Sequence, residues 1–175
     1  MNEGRADVKR REFVQGLGVA ALAAASGGAA ADADPGHYAR FLALISDWKR
    51  HDIDAVVARL AEDVVWYVAV GAAPIEGREA SRQLLETFAP RRKVENWRIF
   101  HHAVNGDRLF VEGVDDFEDD QGRRVAVPYA GVIEFRDGLI TGWRDYFDVA
   151  TLNRMKAGEP IPAELLPLID RPGEP

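Results

Sequence analysis

Residues 94–149 read VENWRIFHHAVNGDRLFVEGVDDFEDDQGRRVAVPYAGVIEFRDGLITGWRDYFDV. Three turn signals divide this run: Asn105-Gly106-Asp107, Asp119-Asp120-Gln121-Gly122 and Arg136-Asp137-Gly138. Asn-Gly and Asp-Gly suit the left-handed dihedrals of tight hairpins, and the segments between them, 94–104, 108–118, 123–135 and 139–149, are rich in β-branched and aromatic residues. The pattern predicts an antiparallel meander.

Upstream the periodicity is helical. Tyr38, Phe41, Leu42, Ile45 and Trp48 recur at spacings of three and four, which predicts a helix over 35–52. A second, short helix is expected over 53–61, and a third over 77–88 that Pro90 stops. Between them the β-branched and aromatic run 64–69 predicts a strand. Helices followed by a curled sheet make an α+β domain, with three helices covering one sheet face and enclosing a cavity. Five of the nine prolines fall in the last sixteen residues, so 157–175 is read as a Pro-rich tail that folds back over the domain or helps pair subunits.

Residues 1–33 have a different composition. Lys9-Arg10-Arg11-Glu12-Phe13 precedes a Gly/Ala-rich run to Ala25, and Ala29-Ala30-Ala31-Asp32-Ala33 offers small-residue cleavage positions after Ala31 or Ala33. This is the layout of a twin-arginine export signal, and residues 17–25 fall well short of the roughly 20 apolar residues that span a bilayer. The expected organisation is a leader (1–33), one domain (34–156) and the tail, exported to the bacterial periplasm with no stable membrane span. The chain has 22 basic and 29 acidic side chains, a net charge of −7, which disfavours nucleic acid as a partner. Cysteine is absent, which removes thiolate chemistry, disulfides and iron–sulfur clusters. No H-x-x-x-H or H-x-H spacing, phosphate-binding glycine loop or serine elbow occurs, so neither a metal nor a nucleotide cofactor is expected.

Strand parity locates the candidate chemistry. Leu139, Thr141, Trp143, Asp145 and Phe147 share one face of the last strand, and Leu109, Val111, Gly113, Asp115 and Phe117 share one face of the second. Each strand thus carries one acid in apolar company, and two acids in a low-dielectric pocket suit acid–base work. Alternatively, each acid caps a turn or pairs with Arg98, Arg144 or Arg123. His101 is a further candidate on the face shared by Trp97, Ile99 and Ala103, although an inward histidine also serves as a hydrogen-bonded core residue. Trp66, Val68, Trp143, Val127 and Tyr129 are expected to wall the pocket, while Arg144 and Tyr146 face away.

The run Gly131–Asp148, above all Gly142-Trp143-Arg144-Asp145-Tyr146-Phe147-Asp148, resembles the C-terminal strands of the limonene epoxide hydrolase family, within the nuclear transport factor 2-like (SnoaL-like) cone fold. Weaker likeness extends through Ala61-Glu62-Asp63 and Gly77-Arg78-Glu79-Ala80. The resemblance implies a cone-shaped curved sheet and a base that activates water, matching Asp145. It also implies an acid towards the epoxide oxygen, matching Asp115. The family's bridging arginine falls on Gly113, and its water-holding Tyr and Asn fall on Trp66 and Val68, with Tyr67 adjacent. The expected partners are a small hydrophobic molecule bearing an epoxide, ketone or enol, and a second copy of the chain packed on the open sheet face. Hydrolysis and isomerisation both fit, as does a non-catalytic binder in which Asp145 only hydrogen-bonds its ligand.

Overall fold

The computed structural model describes residues 35–174; the expected leader and its cleavage positions lie outside the described residues. Helix α1 (Pro35–Lys49) buries Phe41, Leu44, Ile45 and Trp48 as its periodicity demands. Helix α2 (Ile53–Ala58) starts where the Asp52 carboxylate accepts a hydrogen bond from the Ala55 amide at 3.0 Å, and α3 (Arg78–Phe88) follows Gly77 and gives way to a 3₁₀ turn containing Pro90. The strands are β1 (Leu60–Tyr67), β2 (Ile75–Glu76), β3 (Arg92–Glu95), β4 (Arg98–Asn105), β5 (Arg108–Asp119), β6 (Arg124–Arg136) and β7 (Leu139–Tyr146). They form one sheet in the order β2-β1-β7-β6-β5-β3, with β4 also paired to β5.

The meander is present and the sheet is mixed, because β1 runs parallel to β7 while the other pairs are antiparallel. That parallel pairing explains why α2 ends at Ala58 rather than at 61 and why β1 begins at Leu60 rather than at 64. Leu60 is opposite Ile140, whose amide donates to the Arg59 carbonyl at 2.9 Å, so the backbone expected to extend α2 is already strand. Asp137 and Gly138 both have positive φ (53° and 80°), the geometry expected of the Asp-Gly hairpin.

The segment 94–104 is two strands rather than one. Asn96 and Trp97 interrupt it, and Asp116 anchors the break: its carbonyl accepts from the Asn96 amide at 2.7 Å and its carboxylate from the Asn96 side chain at 3.1 Å.

The main core lies between the helices and the concave sheet face. Helix α4 (Val149–Lys156) packs on the concave face, where Met155 joins Phe117, Val125 and Val127, while on the convex face the tail covers β5 and β6. Asp148 caps α4 through the Thr151 amide at 3.0 Å, while α5 (Leu166–Ile169) seats Ile169 with Phe100, Val114 and Ala126. The tail therefore folds back over the domain.

Candidate functional site

The concave side encloses a cavity of about 670 Å³, lined largely by apolar side chains. Asp145, Asp115, Trp66, Val68, Trp143, Val127 and Tyr129 all line it. Arg144 instead pairs with Glu134 at 3.0 Å, and Tyr146 is 46% exposed, so the two faces of β7 divide as parity predicts.

Asp145 sits among indoles because of register. Trp66 on β1 is opposite Trp143 on β7, and the two rings stack at 4.8 Å. Their nitrogens converge on one carboxylate: Trp143 Nε1 donates to Asp145 Oδ1 at 2.9 Å and Trp66 Nε1 to Oδ2 at 3.3 Å. No ion pair to Asp145 occurs among the described residues. Burial pushes its carboxyl up to about 7, against the two indole hydrogen bonds, and the Asp115 charge adds to the rise. A carboxyl tuned there exchanges protons near neutral pH.

Asp115 is in a different situation. Arg92 on β3 reaches both of its oxygens, Nη1 to Oδ2 at 3.1 Å and Nη2 to Oδ1. The same guanidinium holds Glu95, with Nη2 to Oε2 at 2.9 Å, and lies 3.7 Å from the centroid of the Phe117 ring. Asp115 pairs with none of Arg98, Arg144 and Arg123, which bond to Asp116, Glu134 and Asp119.

Gly113 cannot carry an arginine here. A Cβ built on it would collide with the Arg98 carbonyl oxygen on β4 and approach Tyr129 Cε1 to 3.1 Å. The cation beside Asp115 therefore comes from a different strand. Sequence reasoning missed Arg92; the available signal was a basic run, Arg91-Arg92-Lys93, at the start of the short strand that ends at Glu95.

His101 lies outside the cavity, which corrects the expectation that it faces inward. Its side chain is 71% exposed, because the β4–β5 register slips between Ile99 and His101 and inverts the parity beyond that point. His102 does not face the cavity either; it stacks on Tyr38 and contacts Glu174 at 2.5 Å. Tyr67 is 40% exposed, so Trp66 and Val68 stand where the resemblance expects water ligands. Trp48 and Trp97 also line the cavity and were not singled out.

Residues 39–157 match the family described as the limonene-1,2-epoxide hydrolase catalytic domain. Epoxide hydrolase EphG of Mycobacterium tuberculosis is 35% identical over 107 residues, 61% of this chain and 70% of the relative. A solved LEH-like epoxide hydrolase from M. tuberculosis superposes with a TM-score of 0.60 at 30% identity, covering 68% of this chain and 87% of that one. A Catenulispora acidiphila protein with a ketosteroid isomerase-like fold gives a TM-score of 0.59 at 22% identity over 70% of this chain and 94% of its own, a likeness of fold alone.

Proposed function

Since the chain belongs to the limonene-1,2-epoxide hydrolase family, with the cone fold of the nuclear transport factor 2-like superfamily, we propose that it hydrolyses a small apolar epoxide in the concave cavity, with Asp145 as general base. The observation that carries this reading is the setting of Asp145: a carboxylate in an apolar cavity, held by two indole N–H groups and raised to about 7. Indole donors orient the carboxylate without supplying a full charge to suppress its basicity. Water bound against Asp145 gives up a proton as its oxygen attacks an epoxide carbon, and the ring C–O bond breaks towards the other side of the cavity. Asp115, which the resemblance casts as the acid, shares the cavity, and Arg92 supplies the cation that Gly113 cannot.

A second reading, proton transfer within a ketone or enol, draws on the same base. Isomerisation needs no water ligand, and Val68 offers none. In a non-catalytic binder, Asp145 would serve only as an acceptor for the ligand.

The test is turnover of 1-methylcyclohexene oxide and limonene-1,2-epoxide by the purified protein and by Asp145→Asn, with diol formation followed by chromatography. Diol from the wild type alone supports hydrolysis. Binding without turnover, weakened by the substitution, supports the binder.

We also propose that the Arg10-Arg11 leader exports the folded enzyme and that two copies pair through the open sheet face near Phe110 and Tyr146, which are 40% and 46% exposed. Mass spectrometry of envelope protein should find an N-terminus near Asp32 or Asp34, and Arg10→Lys with Arg11→Lys should hold the chain in the cytoplasm. Light scattering should give twice the protomer mass.

A further inference from the structure

Tyr129 is held in the cavity more tightly than a wall residue needs. It pairs with Gly113 across the β5–β6 ladder, and its ring lies over two glycines. A Cβ at Gly113 would stand 3.1 Å from Cε1, and one at Gly131 would stand 3.3 Å from Cε2 and 3.5 Å from Asp145 Oδ1. Both glycines thus make room for the ring, and Gly131, opposite Asp145 in the β6–β7 register, also leaves space at the carboxylate.

The hydroxyl at the ring's end is only partly satisfied. Trp97 Nε1 donates to it at 2.7 Å, which takes up its acceptor side, and no acceptor for the phenolic proton is found among the described residues. The residue is 7% exposed and lines the cavity, so solvent outside the cavity does not serve that proton. A buried O–H without a protein acceptor is one that a ligand oxygen or a cavity water must satisfy. Burial, followed by the charges of Asp145 and Asp115, holds the phenol well above its usual range, so it remains a neutral donor throughout the range in which Asp145 titrates. Asp115 is less suited to proton donation, because Arg92 occupies both of its oxygens.

We propose that Tyr129 is the hydrogen-bond and proton donor to the substrate's leaving oxygen, a catalytic role additional to the base Asp145 and one that rests on the epoxide reading above. Asp145 takes a proton from water as the new C–O bond forms. The ring C–O bond breaks, its electron pair goes to the epoxide oxygen, and that oxygen takes the phenolic proton. An alkoxide is a much stronger base than a phenolate, so the transfer runs downhill. The proton on Asp145 then returns to the phenolate through water, and epoxide plus water has become diol with both residues restored. Trp97 favours the donating state, since an N–H already directed at the phenolic oxygen stabilises the charge that develops there.

The experiment compares wild type with Tyr129→Phe on 1,2-epoxypropane and 3,3,3-trifluoro-1,2-epoxypropane, matched in shape but differing in how far the leaving alkoxide is stabilised when water attacks the terminal carbon. Tyr129→Phe should lower kcat on epoxypropane by about 10²-fold with little change in KM, and on the trifluoro substrate by clearly less. Equal losses on both substrates, or none, would overturn the proposal, and thermal melts of the two proteins show whether a loss reflects folding. If the wild type hydrolyses neither epoxide, the epoxide reading fails, while carbonyl-labelled cyclohexanone still tests the donor. Its C=O stretch should shift to lower frequency in wild type and lose that shift in Tyr129→Phe; an identical stretch in both refutes a donor role.

Discussion

Asp145 and Asp116 are carboxylates withdrawn from bulk water on opposite faces of one sheet. On the convex face Asp116 accepts from Arg98 at 3.0 Å, from both Nε and Nη2 of Arg124 at 3.0 and 2.9 Å, and from Asn96 at 3.1 Å. Burial alone would raise its carboxyl, but the two guanidinium groups outweigh burial and hold it below the usual range. On the concave face Asp145 has two neutral indole donors and a nearby acid, and burial prevails. Structure demands that a charge be satisfied; reactivity requires that it remain incompletely satisfied. The sheet keeps these requirements on separate faces.

Substitutions can break this contrast from either side. The largest effect expected is on turnover: Asp145→Asn should reduce kcat by about 10³-fold while leaving the melting temperature unchanged or raised, because a poorly solvated charge is removed. Asp116→Asn should do the reverse. It leaves Arg98 and Arg124 facing a neutral amide and should lower stability by about 2 kcal/mol in denaturant titrations, with the turnover of the folded fraction retained.

The two acids also oppose one another in pH. Asp145 is raised from 3.8 to about 7, so the stability linked to its proton is complete at low pH and is lost as pH climbs between those values. Asp116 is lowered, so its contribution is present above the usual carboxylate range and is lost on acidification. Melting temperature measured against pH should therefore decline between about pH 4 and 7 in the wild type, and much less in Asp145→Asn. Over the same interval kcat should rise as the base ionises. The smallest effect sharpens the comparison: Arg124→Gln, at a side chain 41% exposed, should cost under about 1 kcal/mol and be masked by salt.

Much of this was legible in the sequence where local chemistry decides the outcome. Turn residues at 105–107 and 136–138 set the hairpins, and period-two reading brought Trp143, Asp145, Asp115 and Tyr129 to one cavity. Legibility failed where a tertiary contact intervened. His101 was misplaced because one register slip in β4 reverses every side chain beyond it, and no residue type announces the slip. Arg92 was missed because its partnership with Asp115 spans 23 positions and depends on how a broken edge strand docks on β5. The parallel pairing of β1 with β7 is likewise invisible to local pattern, yet it brings the second indole to Asp145.

All four tryptophans of the chain line the cavity: Trp48, Trp66, Trp97 and Trp143. None sits on the outer surface to dilute the signal, so the protein's ultraviolet emission is a built-in optical gauge of cavity occupancy. Trp66, Trp143 and Trp97 form a stack with centroids 4.8 and 6.1 Å apart, close enough for their excited states to couple and give structured near-ultraviolet dichroism. Entry of any molecule, even one that is never turned over, would change the colour and intensity of that emission, so ligands can be sought without labels and before any reaction is known.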